Sequence, residues 1–195
     1  MKTLIKVISF VIIFGISIGI FVSLKENENR KIKKIERKEL LISEVNALSV
    51  LEYAKESVVY DGMTLTELSE KLEHSLNSTV SGYGTLFASY SLEKGVDPYL
   101  AVAIMLHETG CKWGCSALTK YCNNVGGQKG SPSCNGGFYR SYPTLEEGIK
   151  GFIDNLSKNY IEKGLTTPEQ IGPKYAASTF WASKINAYIK SIIEN

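Results

Sequence analysis

The chain has 195 residues, of which 44% are hydrophobic and 22% are charged. This composition is typical of a folded domain and excludes a disordered chain. The formal net charge is only +2, which gives no support for nucleic acid as the main partner. We therefore expect one principal folded domain with short appendages.

The N-terminus begins with a short tail, residues 1–6, followed by an uninterrupted apolar run over residues 7–24. A helix of this length spans about 27 Å, close to the roughly 30 Å of a bilayer core. No clear small-residue cleavage site follows the run. The pattern therefore predicts a single transmembrane signal anchor, with a cleaved signal peptide as the alternative.

The orientation of this anchor depends on conflicting signals. The flank "KENENRKIKKIERK" carries more positive charges than the tail does, which favours a cytoplasmic C-terminal part. However, large domains cross membranes largely regardless of charge, and clustered cysteines suit an oxidising exterior. We expect the body of the protein on the extracellular side of the membrane.

Residues 25–61 are predicted to form a charged stalk and a helix that runs from Leu40 to about Tyr60. The motif "YDGMT" is expected to break that helix, with residues 62–195 forming the body. Apolar residues at helical spacing predict several further helices there, the last in "FWASKINAYIKSIIEN". One small β-hairpin is expected, with "VGGQKG" and "GFYRSY" as its arms. The predicted fold class is mainly α.

The stretch "GVDPYLAVAIMLHETG" predicts a helix that is buried almost all round. Asp97 is a suitable N-cap, Pro98 suits the first helical position, and Gly110 suits the C-terminal end. An ionisable pair, His107 and Glu108, lies in the last turn. We interpret His107 as a packing or hydrogen-bonding residue.

Glu108 is the candidate for chemistry in this helix. Ala101 and Ile104 lie on its own face, so its surroundings on the helix are apolar. Desolvation and the negative end of the helix both disfavour the charged carboxylate and raise its pKa. A carboxylic acid that retains its proton can act as a general acid.

The downstream sequence supports this interpretation. The motifs "HETG", "YCNNVGG", "FYRSYPTLEEGIKGF" and "KYA" follow in that order. Together, over about residues 63–195, they resemble the bacterial glucosaminidase domain, glycoside hydrolase family 73. The resemblance implies a lysozyme-like α+β fold, cleavage of peptidoglycan glycan strands without a cofactor, and Glu108 as the catalytic acid.

A second catalytic carboxylate is not evident. Glu146, Glu147 and Asp154 are available, but none stands out. Substrate assistance by an N-acetyl group is therefore possible. A single carboxylate also suits a lytic transglycosylase, and a muramidase on the same fold is a further alternative.

Candidate substrate-binding residues come from the same resemblance and from aromatic stacking on sugars. Tyr175 and Asn124 match family positions near the glutamate and in the loop that supports the cleft. Tyr139 and Tyr142 are expected on one face of the hairpin arm, where they stack on sugar or pack. Trp113 is close to Glu108 in sequence and could stack on sugar or cover the core.

The four cysteines lie at Cys111, Cys115, Cys122 and Cys134, a spacing that differs from paired zinc ligands. We favour the disulfides Cys122–Cys134 and Cys111–Cys115 and predict no metal. Two alternatives remain: an inactive glycan-binding or scaffold module, and a cytoplasmic-facing protein in which the cysteines bind a metal.

Overall fold

The computed structural model describes the backbone of residues 2–195 and the side chains of residues 25–53 and 57–195. The chain divides into two compact units, Met1–Tyr53 and Ala54–Asn195. The predicted membrane anchor, residues 7–24, lies outside the described side chains. Within the described part of the chain, no helix is both long enough and apolar enough to cross a bilayer.

The first helix, α1, is continuous over Lys2–Glu56. Its side chains from 25 to 53 are exposed, including the apolar ones that recur at helical spacing. The expected end of this helix near Tyr60 was wrong, because Val58–Tyr60 forms strand β1. Strand β1 pairs antiparallel with β2, Met63–Thr64, across a turn with positive φ at Asp61 and Gly62. An Asp-Gly pair favours such a hairpin turn.

The second unit is mainly helical, as expected, and β1–β2 is the two-stranded sheet of the described residues. Its regular helices are α2 Leu65–Glu73, α3 Gly84–Glu93, α4 Pro98–Thr109, α5 Ala117–Cys122, α6 Leu145–Asn159, α7 Pro168–Tyr175 and α8 Trp181–Glu194. Short 3₁₀ turns lie at Ser78–Val80 and Ile161–Lys163. Helix α5 was not expected from the sequence.

Helix α4 lies at the centre of this unit, with α3 and α8 packed against it. The Asp97 side chain accepts the N–H of Leu100, Pro98 is the first helical residue, and Gly110 ends the helix with φ of 64°. Residues 98–106 are all buried. Burial of each large aliphatic side chain contributes about 1.5–3 kcal/mol, so α4 is firmly placed. The expected helix and both of its ends are confirmed.

The hairpin expected between residues 125 and 142 forms only in part. Two isolated antiparallel bridges join Lys129 to Tyr139 and Ser133 to Arg140, without continuous strands. Pro132 lacks an N–H for a ladder, and the glycines of this segment have no side chains to pack. The segment is therefore an irregular loop whose two arms are joined by these two isolated bridges.

Candidate active site

Glu108 lines a cleft with a volume of about 510 Å³. This volume is within the usual range of ligand pockets. One side of the cleft, the helical wall, is formed by Glu108, Asn155, Tyr160 and Tyr175. The other side, the loop wall, is formed by Gly126, Gly127, Gln128, Lys129, Arg140 and Tyr142.

The carboxyl group of Glu108 has the electrostatic character that the sequence predicted. The side chain is exposed to the cleft, but the atoms packed around its carboxyl group desolvate it and raise its pKa. Two smaller effects, the charge of His107 and the indole N–H of Trp181, oppose this shift. Desolvation prevails, so the carboxyl group holds its proton to higher pH than an ordinary glutamate.

Three aromatic rings support Glu108 on the helical wall. The rings of Tyr175 and Trp181 stack with centroids 4.9 Å apart, and Tyr160 lies 5.6 Å from Tyr175. Burial raises the pKa of Tyr175, and the nearby Glu108 raises it further. Tyr175 therefore remains a neutral phenol beside the carboxyl group. Gly172 allows this packing, since a Cβ there would lie 3.3 Å from the Trp181 ring.

Trp181 is almost fully buried, with 2% of its surface exposed. Its indole N–H lies near enough to Glu108 to lower the pKa of that carboxyl group. The geometry nevertheless falls short of a hydrogen bond, and the N–H has no other partner among the described residues. Trp181 thus presents an unsatisfied donor behind the candidate acid.

Asn124 organises the loop wall. The side chain is buried, and its amide donates to the carbonyl oxygens of Gln128 and Arg140 at 2.8 and 2.7 Å. Its carbonyl oxygen accepts the N–H groups of Gly126 and Gln128 at 3.3 and 3.0 Å. Every hydrogen-bonding position of the side chain is therefore occupied. Asn124 lies beneath the wall and shapes it.

Tyr142 links the loop wall to α6. Its hydroxyl group donates to Oε1 of Gln128 at 2.7 Å, and Nε2 of Gln128 donates to the carbonyl oxygen of Gly151 at 2.9 Å. Gly151 must lack a side chain, because a Cβ would lie 2.8 Å from the Tyr142 hydroxyl. The Tyr142 side chain lines the cleft, and its hydroxyl group is used in the hydrogen bond to Gln128.

The expectation that Tyr139 and Tyr142 share a face was wrong. Tyr139 is 46% exposed, whereas Tyr142 is 8% exposed and packs inward. Side chains alternate along an extended segment, so residues three apart point to opposite sides. Tyr139 is not one of the described residues that line the cleft.

Both expected disulfides are present. Cys122–Cys134 joins the end of α5 to the outer part of the loop wall, with Cα atoms 5.7 Å apart. Cys111–Cys115 closes the turn directly after α4, with Cα atoms 4.0 Å apart. No cysteine of the described chain is free, so the alternative of a metal bound by all four cysteines is wrong.

Trp113 and His107 lie outside the cleft. Trp113 is 86% exposed and lines a neighbouring depression with His107, Lys112 and Tyr188. The His107 ring contacts the Tyr188 ring edge-on at 6.1 Å, consistent with a packing role. The structure therefore does not bring Trp113 to the Glu108 carboxyl group.

The other acidic candidates do not face Glu108 across the cleft. Glu146 pairs with Lys150 at 2.6 Å, and the backbone N–H of Glu147 is capped by Thr144. Asp154 accepts a hydrogen bond from the Tyr90 hydroxyl group at 3.0 Å. Among the described residues that line the cleft, Glu108 is the one carboxylate.

Sequence reasoning missed several residues of this site. Trp181 was predicted only as part of the last helix, and Gln128, Asn155 and Tyr160 were not predicted as site residues. The "SKNYIEKG" stretch offered a weak signal for Tyr160, since an aromatic residue there ends α6 beside the cleft. The meeting of Trp181 with Glu108 had no local signal.

The fold and the site together define a mainly helical domain with a desolvated carboxylic acid in a polar cleft. Residues 84–194 match the Glucosaminidase family model, described as mannosyl-glycoprotein endo-beta-N-acetylglucosaminidase. The match runs from the first residue of α3 to the last of α8 and covers more than half of the chain. The chain therefore belongs to the glucosaminidase family, glycoside hydrolase family 73. No curated protein matches the chain significantly.

Proposed function

We propose that the protein is a peptidoglycan hydrolase that cleaves the β-1,4 glycan backbone as an endo-β-N-acetylglucosaminidase. Family membership supports a glycoside hydrolase that acts on peptidoglycan. The observation that carries the finer proposal is the carboxyl group of Glu108. This carboxyl group lies at the end of a buried helix and lines the cleft, and desolvation raises its pKa.

In this proposal Glu108 acts as the general acid. Its protonated carboxyl group donates to the glycosidic oxygen while the C–O bond breaks through an oxocarbenium-like transition state. Stacked on Trp181, Tyr175 presents a neutral phenol beside the carboxyl group and contacts the sugar. Tyr142 and the backbone that Asn124 holds form the opposite surface for the glycan strand.

Glu108 is the one carboxylate among the described residues that line the cleft, which favours a second candidate activity, that of a lytic transglycosylase. One residue can serve first as acid and then as base, and the product is an anhydro sugar. Substrate assistance by the N-acetyl group would also need no second carboxylate. Mass spectrometry of digested peptidoglycan distinguishes these outcomes, because glucosaminidases leave reducing-end N-acetylglucosamine, muramidases leave reducing-end N-acetylmuramic acid, and transglycosylases leave anhydro ends.

The central test is Glu108→Gln. We expect release of muropeptides from purified cell walls to fall by about 100-fold or more, since general acids contribute about 10²–10⁴ to rates. Glu70→Gln, on the exposed surface of α2, is the matched control and should retain activity. Full activity of Glu108→Gln would refute the proposed role.

Stability measurements on Glu108→Gln test whether unfolding contributes to the expected loss of activity. The pKa of Glu108 is higher in the folded than in the unfolded chain, so ionisation costs stability as pH rises above the ordinary value of 4.5. Glutamine never ionises and avoids this cost. Glu108→Gln should therefore be at least as stable as the parent at neutral pH, and any advantage should vanish in acid.

The location of the protein is part of the proposal. The apolar run over residues 7–24 supports a membrane anchor, and the charged stalk that follows it would hold the catalytic unit near peptidoglycan. Two disulfides support an oxidising, extracellular environment for that unit. Retention of the full-length chain in membrane fractions after a high-salt wash is the expected observation.

A further inference from the structure

Two cations lie on the loop wall without an acidic partner. Lys129 and Arg140 both line the cleft and both are exposed. Neither belongs to an ion pair among the described residues, whose salt bridges all lie elsewhere. The cleft therefore contains two positive charges without an ion-pair partner among the described residues and one carboxyl group whose pKa is raised by desolvation.

The backbone of both residues is held firmly. The N–H of Arg140 donates to the carbonyl oxygen of Gln128 at 2.8 Å, and its own carbonyl oxygen accepts from Asn124. Lys129 is bridged to Tyr139 in the adjacent segment. The Arg140 guanidinium also lies 5.0 Å from the centroid of the Tyr142 ring, a cation–π arrangement that orients it. The two charges are thus placed by the architecture of the loop wall.

These charges do not serve the bond cleavage itself. An oxocarbenium-like transition state carries positive charge, which a nearby cation destabilises. Neither Lys129 nor Arg140 is among the groups that shift the pKa of Glu108. Their role must therefore concern a part of the substrate away from the scissile bond.

The glycan backbone of peptidoglycan is neutral, and its anionic groups are carboxylates attached to the lactyl ether of N-acetylmuramic acid. Those carboxylates belong to the stem peptide, or to the lactyl group itself where the peptide has been removed. We propose that Lys129 and Arg140 form a subsite that binds a substrate carboxylate next to the cleaved bond. This inference rests on the proposed function and adds a preference for carboxylate-bearing glycan. A guanidinium fork is well suited to a carboxylate.

The test uses purified full-length protein with Lys129→Gln, Arg140→Gln and the double variant. On peptide-bearing glycan strands we expect KM to rise about three- to fivefold for each single variant, as for exposed ion pairs, with kcat unchanged. The KM of the double variant should also depend less on salt concentration. Lys120→Gln removes the same charge from the exposed surface of α5, outside the cleft, and should leave KM unchanged.

Three substrates identify the ligand group. A rise in KM on peptide-bearing strands indicates a stem-peptide carboxylate, because the lactyl carboxyl group is an amide there. If the rise persists on strands whose peptides an amidase has removed, the subsite also binds the lactyl carboxylate that this cleavage frees, and if it disappears there, the subsite binds the stem-peptide carboxylate alone. On strands whose carboxylates have been converted to amides, parent and variants should have equal KM.

An unchanged KM in the double variant, or an equal rise on amidated strands, would overturn the subsite. Failure of the proposed function gives a different result, namely an active Glu108→Gln variant. The two failures are therefore distinguishable in one set of assays.

Discussion

The helical wall and the loop wall of the cleft are built by different forces. The helical wall holds Glu108 by burial, with α4 in the core and the Tyr175 and Trp181 rings stacked behind it. The loop wall has little regular structure and is held by hydrogen bonds from Asn124 and by a disulfide. Apolar packing desolvates a carboxyl group, whereas a hydrogen-bonded loop leaves polar and charged groups facing the cleft.

Under the proposed function, this difference gives the helical wall a role in proton transfer and the loop wall a role in substrate recognition. A proton donor needs a raised pKa, which the packed wall supplies through desolvation. Recognition of a hydrated sugar polymer, as in the proposed function, would need fixed polar groups, and Gln128, Lys129 and Arg140 line the loop wall. Changes to the loop wall should therefore reduce substrate binding and stability, and changes to the helical wall should alter proton transfer.

The largest effect on the loop wall is expected from Asn124→Ala. The substitution leaves the N–H groups of Gly126 and Gln128 without their acceptor. Since a buried unpaired polar group costs about 1–3 kcal/mol, we expect the free energy of unfolding to fall by about 4 kcal/mol. Urea denaturation measures this change, and KM should rise because the wall loses its shape.

The matched control for this variant is Asn186→Ala. Asn186 is exposed and makes one side-chain hydrogen bond, to Glu169. We expect a change within about 0.5 kcal/mol, as for most surface substitutions. Equal losses in the two variants would show that Asn124 does not organise the wall.

The disulfides should have the next largest effects. Replacement of Cys122 and Cys134 by serine opens the longer loop and should cost about 3 kcal/mol, against about 2 kcal/mol for Cys111 and Cys115. The sequence separations of 12 and 4 account for this order in the chain-entropy model. Thermal unfolding of both double variants measures it.

Activity separates the two disulfides further. Cys122–Cys134 holds the loop wall, so its loss should raise KM on cell walls. Cys111–Cys115 closes the turn that follows α4, the helix that carries Glu108, so its loss should reduce kcat more than it raises KM. The same kinetic change in both variants would argue against separate roles for the two walls.

Features set by short stretches of sequence were predictable. Helix α4 carries its own signals, with Asp97 and Pro98 at its start and Gly110 at its end. Four cysteines allow only three pairings, and both observed disulfides join cysteines that are neighbours among the four in the chain. The direction of the Glu108 pKa shift was also predicted, since desolvation is its largest cause.

Features set by tertiary contacts were not predictable. Trp181 reaches Glu108 only because α8 packs on α4, and nothing in its own stretch indicates that meeting. Strands β1 and β2 have three and two residues, which is too few for an alternation of apolar and polar residues to distinguish them from the end of a helix. The Tyr142 hydroxyl group donates a hydrogen bond to Gln128, and this pairing depends on the tertiary arrangement of the irregular loop.

The smallest and most specific effect is expected from Trp181→Phe on the helical wall. Phenylalanine keeps an aromatic ring against Tyr175 but lacks the indole N–H. That N–H favours the ionised form of Glu108 and lowers its pKa, so its removal should raise the pKa further. A general acid works only while protonated, and activity is lost as pH rises through its pKa. The alkaline limb of the pH profile of kcat/KM should therefore move to higher pH.

Plateau activity should fall slightly at the same time, because a weaker acid transfers its proton less readily. Trp113→Phe is the matched control for the position of the limb, since Trp113 is exposed and lies outside the Glu108 cleft. A purely structural role for Trp181 would lower activity at every pH and leave the limb in place. A limb displaced to lower pH would show instead that desolvation by the indole outweighs its N–H, and the helical wall would then act on Glu108 through packing alone.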